Sequence, residues 1–489
     1  MVSKKRFFNQ IINQEETLMN ELFDIDELKK HSFESLERKI YEYICEIGKN
    51  ITVELLEQLD LYLMKNRDKK RYVSKDRRKT TIKTVYGEVE YYRRMYYDTC
   101  SGTPVYLLDE DMQMEKIGTI SVNLAKKIAD ATINMPYRKA ADTISETTGL
   151  SISSHGVWNV TQQIGKVIQA EEEILVHEMK TEQTRGEKES KIIFMEADGV
   201  YLNIQKNKKK AKSQELKVST VYSGWNNDGK SLYEKKVMAG MEPAKIFNQK
   251  TEALIQSVYN IDEAELRVLN GDGAGWIKNT TESDRIYQLD RFHIKKEIRR
   301  CIPENNIRKI IINKFENSDI DGMLEDIVKY INSIDDGTNS KKLDRANNLY
   351  RYLFNNYEGL LPWQKQVETI PEPPEGITYK NMGIQENQNC SLVCERLKGR
   401  KMRWSVPGAN NMAKLIYMRE NGDLESIIEK KDGYILLPQE ININNVVKTV
   451  RQKKVGKGNK WIETIMASMP ITNSANSPYV KLFRNIQNV

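Results

Sequence analysis

The 489-residue sequence predicts a mixed α/β protein, with an α/β core preceded by a mostly helical region that holds one β-hairpin. Three observations carry this reading. Apolar residues recur every three or four positions across residues 1–70, 119–167 and 295–370. Between residues 190 and 290 the period changes, and short β-branched runs alternate with one helical pattern. Around residues 81–92, two β-branched and aromatic runs flank a Gly-Glu pair.

In chain order, Phe33, Leu36, Ile40, Ile44, Ile47, Ile51, Leu55, Leu59 and Leu63 make the helical stripe of the first region. Asp24, with Glu27 three residues on, and Ser32 are its expected N-caps. Packing and subunit association both suit that stripe. Residues 81–86 and 89–92 predict a hairpin turning at Gly87-Glu88. Its flanking Arg77 and Arg78 suit a phosphate backbone as well as a solvated face. Residues 137–148 read as a short helix, Gly149 as a turn residue at positive φ, and Ser151 to His155 as the start of a second helix through Trp158, Val160 and Ile164. This fits a helix-turn-helix, a pattern shared with helical hairpins that bind nothing. A charged linker predicts a boundary near residue 185.

The core begins with three strand patterns, at 191–204, 216–222 and 232–239. Pro243 suits the first position of a helix reaching residue 259. A strand at 266–269 stops at Asn270-Gly271-Asp272-Gly273, and another at 286–289 stops at Asp290, with His293 three positions later. A three-strand meander followed by strand–helix alternation is how a ribonuclease-H-like sheet looks in one dimension. Residues 295–370 are helical and Pro371-Glu372-Pro373-Pro374 closes them. Residues 380–403 predict a further helix, with Glu386 near its start and a basic run at its end. The expected divisions are therefore 1–70, 71–185, 186–300, 301–380, 381–410 and 411–489, the last without a clear pattern.

Composition narrows the function classes. An apolar content of 39% supports a sizeable core, and 30% charged residues predict a soluble chain. No apolar run approaches the ~20 residues that span a bilayer, and the basic N-terminus lacks the apolar segment of a secretory signal. Five scattered cysteines, of which Cys390 and Cys394 are four apart, read as reduced cytosolic thiols rather than a zinc site. Net charge is +7, and basic clusters recur at Lys69–Arg71, Arg77–Lys79, Lys208–Lys210, Lys295-Lys296, Arg299-Arg300, Arg396–Arg403 and Lys453–Lys460. So many basic clusters point to a polyanionic partner such as nucleic acid.

The chemistry-bearing candidates are Asp198, Asp272 and Glu386. Asp198 and Asp272 each stand beside Gly in or after a strand, where a carboxylate is presented without crowding; for either Asp taken alone, a turn role is the commoner explanation. Carboxylates brought together suit Mg²⁺ or Mn²⁺, hard ions that take oxygen ligands, and a pair of such ions about 3.5–4 Å apart suits phosphodiester cleavage. Glu196, two residues before Asp198 on the same strand face, rivals it, and Glu395 rivals Glu386. Asp290 and His293 form a D-x-x-H pair in which the histidine suits phosphate binding or proton transfer. Trp276 and Trp404 suit either the core or stacking on an unpaired base.

Taken together, Glu196-Ala197-Asp198-Gly199-Val200, Asn270-Gly271-Asp272-Gly273-Ala274 with Trp276-Ile277-Lys278, Leu289-Asp290-Arg291-Phe292-His293, and Glu386 followed by Arg396 and Trp404-Ser405 resemble the DDE transposases with a Mutator-like D-x-x-H signature. More closely, the chain resembles the prokaryotic ISLre-type insertion-sequence transposases, long catalogued as an uncharacterised protein family. The likeness covers roughly residues 70–470. It implies a ribonuclease-H-like catalytic domain whose two-ion site is held by Asp198, Asp272 and Glu386, with Asp290 and His293 as the D-x-x-H pair and an all-helical insertion before the Glu-bearing helix. It further implies a transposase in the cytoplasm, associated with the nucleoid, that acts on double-stranded DNA at element ends and target. At least a dimer is expected, because two ends must be brought together. Arg396, Lys398, Arg400, Lys401, Arg403, Lys295, Lys296, Arg77 and Arg78 are the expected DNA contacts. A nuclease or resolvase of branched DNA and a non-catalytic DNA-binding relative are the alternatives.

Overall fold

The computed structural model describes residues 29–112, 120–183, 185–205, 212–278, 285–334 and 340–429, together with residues 26 and 114. Helix α1 (Phe33–Asn66) starts where Ser32 caps it, its Oγ accepting the Ser35 N–H at 3.2 Å. The expected cap at Asp24 lies outside the described residues. Strands β1 (Tyr72–Thr84), β2 (Gly87–Asp98) and β3 (Thr103–Val105) form an antiparallel sheet beneath α1, with Leu56, Val89, Tyr91 and Leu108 as a small core. Thr84 pairs with Gly87, so the turn is Val85-Tyr86 and not the expected Gly87-Glu88. Thr84 closes the turn: its Oγ1 accepts the Tyr86 N–H at 3.2 Å and donates to the Gly87 carbonyl at 2.9 Å. Gly87 itself takes φ +122°, which disfavours any residue with a Cβ.

Three helices follow: α2 (Val122–Asn134), α3 (Tyr137–Thr147) and α4 (Ser154–Lys180). Ser153 caps α4, its Oγ accepting the Gly156 N–H at 3.1 Å. Gly149, between α3 and α4, does not take the positive φ expected of it. Close approach requires it instead: a Cβ there would lie 2.3 Å from the Tyr86 carbonyl oxygen, so the hairpin turn seats directly on this glycine. The second helix of the helix-turn-helix expectation is α4. Helix α4 is 27 residues long, and Val157, Val160, Ile164 and Ile168 are buried in the largest core. Its opposite face stays exposed, and at its start His155 stacks on Trp158 with ring centroids 5.4 Å apart.

The central sheet holds five strands: β4 (Ile192–Ile204), β5 (Lys212–Tyr222), β6 (Lys236–Gly240), β7 (Leu266–Gly271) and β8 (Arg285–Leu289), in the order β8-β7-β4-β5-β6. The first three are antiparallel neighbours, and β7 and β8 add in parallel on the other side of β4. The strand expected over 232–239 breaks at Glu234, whose φ is +52°. Leu232–Tyr233 belongs to a separate small sheet. Helix α5 (Ala244–Val258) connects β6 to β7; Pro243 is its N-cap rather than its first helical residue. Alternation along β4 sends Ile193, Met195 and Ala197 to the α5 side. Ile192 and Phe194 pack on the opposite face, with Tyr222, Trp225, Trp363 and Met382. Glu196 and Asp198 share this second face.

Helices α6 (Arg291–Cys301), α7 (Asn305–Glu316), α8 (Ile320–Asn332) and α9 (Ser340–Phe354) then pack around their own core, which includes Ile298, Phe315, Ile327 and Leu349. The chain returns to the sheet through α10 (Gln385–Asn389), continued by a π-turn (Cys390–Cys394) and a short helical piece (Glu395–Leu397). The helix thus starts at Gln385 and not near residue 380 as expected. Helix α11 (Val406–Glu420) packs against α4 and β6. A buried ionic network joins α4, α5 and α11. The Lys414 ammonium donates to both oxygens of Glu172 at 2.6 and 2.5 Å and to Glu242 at 2.8 Å, and Lys250 donates to the same two carboxylates at 2.6 and 3.0 Å. The boundary expected near residue 185 therefore separates two regions that share one core. Among the described residues, no helix is long and apolar enough to cross a membrane.

Candidate metal centre at the sheet

Asp198 lies in the middle of β4, buried, with both oxygens engaged. Oδ1 accepts the Gly199 N–H at 2.7 Å and Oδ2 accepts the Asn389 side-chain amide, also at 2.7 Å. Asn389 is one helical turn beyond Glu386, so this contact docks α10 on the strand. Glu386 itself is exposed. Across the sheet, Asp290 directly follows β8 and caps α6. Its Oδ1 accepts the His293 N–H at 2.9 Å and lies 3.0 Å from His293 Nδ1. The result is a group drawn from three separate segments: one ligand atom each from Asp198, His293 and Glu386, all within 4.8 Å of one another.

Asp272 stands one residue beyond β7, half-buried. Its Oδ1 accepts the Ala274 N–H at 2.9 Å, while its backbone carbonyl accepts the Tyr352 hydroxyl at 2.8 Å. It lies outside the three-residue group yet close enough for its charge to act on both Asp198 and His293. Burial chiefly pushes the Asp198 carboxyl up to about 6; the Gly199 N–H and His293 oppose this, and the nearby Asp272 and Glu386 add to it. The Asp290 hydrogen bond holds the His293 imidazole above its ordinary value. For Asp290, burial acts upward, but the His293 and Asn270 hydrogen bonds outweigh it and leave the carboxyl below its ordinary value.

The two rivals separate cleanly. Glu196 is fully buried and saturated with donors: the Tyr222 hydroxyl at 2.7 Å, the Asn270 amide at 3.0 Å, and the backbone N–H groups of Gly383, Ile384 and Gln385 at 3.0, 3.0 and 3.4 Å. It anchors the start of α10 and has no opening toward a cation. Glu395 is not in the group around Asp198. Sequence reasoning missed Asn270, whose amide nitrogen donates to Glu196 and to Asp290, each at 3.0 Å, while its oxygen accepts from Gln288 at 3.0 Å. The signal for it was present: an Asn at the buried end of a strand, directly before Gly-Asp-Gly.

The basic residues scatter. Arg396, an expected DNA contact, is buried: its Nε donates to the Thr132 carbonyl at 2.6 Å and its guanidinium lies over the Tyr137 and Trp404 rings. It is a packing residue, because groups distant in sequence enclose it. Lys398, Lys401 and Arg403 reach solvent, and the Arg400 side chain lies outside the described set. Lys295 pairs with Glu316 at 2.5 Å, Arg77 with Glu57 at 2.6 Å and Arg78 with Asp76 at 3.0 Å; Lys296 lies beside Phe292. The clusters at 208–210 and 453–460 fall outside the described residues. Trp404 is buried, with its indole N–H on the Leu397 carbonyl, and Trp276 packs edge-on against Phe247, so both serve the core. All five cysteines are free.

Sheet, helical unit and acid–histidine group define an α/β protein with a candidate cation-binding centre. The chain belongs to the uncharacterised protein family UPF0236, whose model matches residues 28–432. Relatives carry the same family name. A UPF0236 protein of Caldanaerobacter subterraneus subsp. tengcongensis is 24% identical over 87% of this chain and 86% of its own length, and its name carries eleven locus designations from that strain. A UPF0236 protein in the vanSb 3' region of Streptococcus gallolyticus is 21% identical over 94% of this chain and 98% of its own length.

Proposed function

We propose that this protein is the transposase of a mobile element and that it cuts and joins DNA at this centre. The observation that carries the reading is the convergence of Asp198, His293 and Glu386 within 4.8 Å, on segments nearly two hundred residues apart, with Asp272 alongside. Crowded acids around a buried Asp198 are an environment that a cation relieves. The strand order, three antiparallel strands followed by two parallel ones, fits a ribonuclease-H-like sheet, and the helices from α6 to α9 fit an insertion before the Glu-bearing segment. The eleven locus designations in one relative's name fit a coding sequence repeated through a genome.

Asp198, Glu386 and Asp272 would hold the ions, Mg²⁺ or Mn²⁺. When bound in such a site, a pair of divalent ions polarises the scissile phosphate and offsets charge on the entering and departing oxygens. The chain's own contribution is positioning. Glu196 and Asn389 hold Glu386 over the strand, Asp290 holds the imidazole of His293, and Lys398, Lys401 and Arg403 face solvent beyond α10, where they suit backbone phosphates.

The test uses DNA carrying the sequences that flank this coding region, a plasmid target and Mg²⁺ or Mn²⁺. Wild type is expected to nick the end and join it to the target, and Asp272→Asn to lose both products. Cleavage without joining would favour a nuclease or resolvase. Binding without either product would leave a non-catalytic DNA-binding protein.

A further inference from the structure

The geometry points to His293 as a direct ligand of the cation held by Asp198 and Glu386, making a mixed nitrogen–oxygen centre that takes a first-row transition ion such as Mn²⁺ in preference to Mg²⁺. This rests on the reading of the centre as a divalent-cation site, and it adds a ligand that the three-carboxylate scheme does not contain.

Two independent observations support it. The first is distance. Ligand atoms about 2.0–2.3 Å from one ion lie roughly 3 Å apart when adjacent and a little over 4 Å apart when opposite. Asp198, His293 and Glu386 offer atoms within 4.8 Å of one another, so an ion draws adjacent pairs together by up to about 2 Å, within the reach of side-chain rotation. The carboxylate of Asp272 is not in that set. The second is the way the ring is held. Asp290 Oδ1 lies 3.0 Å from Nδ1, and Asp290 is itself fixed by the His293 backbone N–H at 2.9 Å and the Asn270 amide at 3.0 Å. A carboxylate on one ring nitrogen orients the imidazole and leaves the other nitrogen, Nε2, as the donor; metal-binding histidines are held in this way. Asp290 also caps α6, so one carboxylate fixes both the backbone and the ring of His293.

The donor type sets the preference. Imidazole nitrogen adds affinity for first-row transition ions, whereas Mg²⁺ is served by oxygen and water. Losing His293 therefore costs Mn²⁺ more than Mg²⁺.

The deciding measurement is pulsed electron paramagnetic resonance on the full-length protein loaded with one equivalent of Mn²⁺. An imidazole bound to Mn²⁺ leaves a ¹⁴N modulation in the echo decay. The expected result is that modulation in wild type and its loss in His293→Ala, with the Mn²⁺ dissociation constant raised about 10-fold or more and Mg²⁺ affinity, measured by competition, changed less than about 3-fold. Asp290→Asn keeps the ring and is expected to weaken Mn²⁺ about 10-fold with the modulation retained. That variant and the wild-type signal carry the test if His293→Ala does not fold. Mn²⁺ bound by wild type without ¹⁴N modulation overturns the inference and leaves a carboxylate-only centre standing. No Mn²⁺ binding by wild type overturns both.

Discussion

Glu196 accepts the backbone N–H of Ile384 at 3.0 Å, across 188 positions of sequence. With Gly383 and Gln385 on the same carboxylate, the start of the Glu386 helix hangs on a residue of the strand that also carries Asp198. Burial pushes the Glu196 carboxyl up, but every partner it has is a donor, which is the arrangement that suits an ionised carboxylate. The opening of the N-terminal end of α10 toward it adds favourable dipoles.

Replacing Glu196 by Gln puts an amide N–H₂ against some of these donors. Glu196→Gln is expected to lose about 2–4 kcal/mol in denaturant unfolding, because buried donors are left unpaired. A loss under about 0.5 kcal/mol would show that the anchor contributes little.

Asn270 is the joint between the two halves of the centre, with Glu196 on one side of its amide nitrogen and Asp290 on the other. Asn270→Asp puts a third carboxylate between two others. The expected result is a destabilisation of about 2–4 kcal/mol at pH 8 that shrinks as the pH is lowered to about 5 and the crowded acids take up a proton. Equal stability deficits at both pH values would contradict this.

Several of these features were legible in the sequence. Strand β4 was readable because its first half is an apolar run buried on both faces and its second half alternates, with Tyr201 and Asn203 exposed between Val200, Leu202 and Ile204. Asp272 and Asp290 were readable because Gly and a following helix mark where strands stop. Arg396 was not. It sits in a basic run like any solvated one, and the Tyr137 and Thr132 groups that bury it come from more than 250 positions away. Glu196 showed half a signal, an acid inside an apolar strand. Its partners at 383–385 are a tertiary fact that no local pattern contains.

Glu242 makes the acid limb of stability predictable. Burial acts to raise its carboxyl, but the ammonium groups of Lys414 and Lys250 outweigh it and hold the folded value at about 2, below the ordinary 4.5. The contribution is therefore complete above about pH 4.5 and is lost as pH falls toward 2, on the order of 3 kcal/mol over that window. Glu242→Gln is expected to flatten stability against pH between about 4.5 and 2, measured by urea unfolding. An unchanged slope would remove Glu242 from the acid transition.

Arg396 and its neighbours are expected to behave differently on DNA. Charge reversal at Lys398, Lys401 or Arg403 should weaken binding of end DNA and lower the salt slope by about 1 for each phosphate no longer neutralised. Arg396→Ala should instead lower the unfolding free energy by about 2–4 kcal/mol and leave the salt slope unchanged. A reduced slope for Arg396→Ala would place its guanidinium on DNA after all.

The central claim is tested most directly by mapping the DNA break itself. End-labelled duplex spanning one border of the coding element is incubated with wild type, Asp198→Asn or Glu386→Gln, with and without Mn²⁺. The account predicts a break at the border leaving a free 3′-hydroxyl, dependent on the divalent ion and reduced about a thousandfold or more in both variants. Breaks that persist in both variants, or that form equally with the ion chelated, would contradict it.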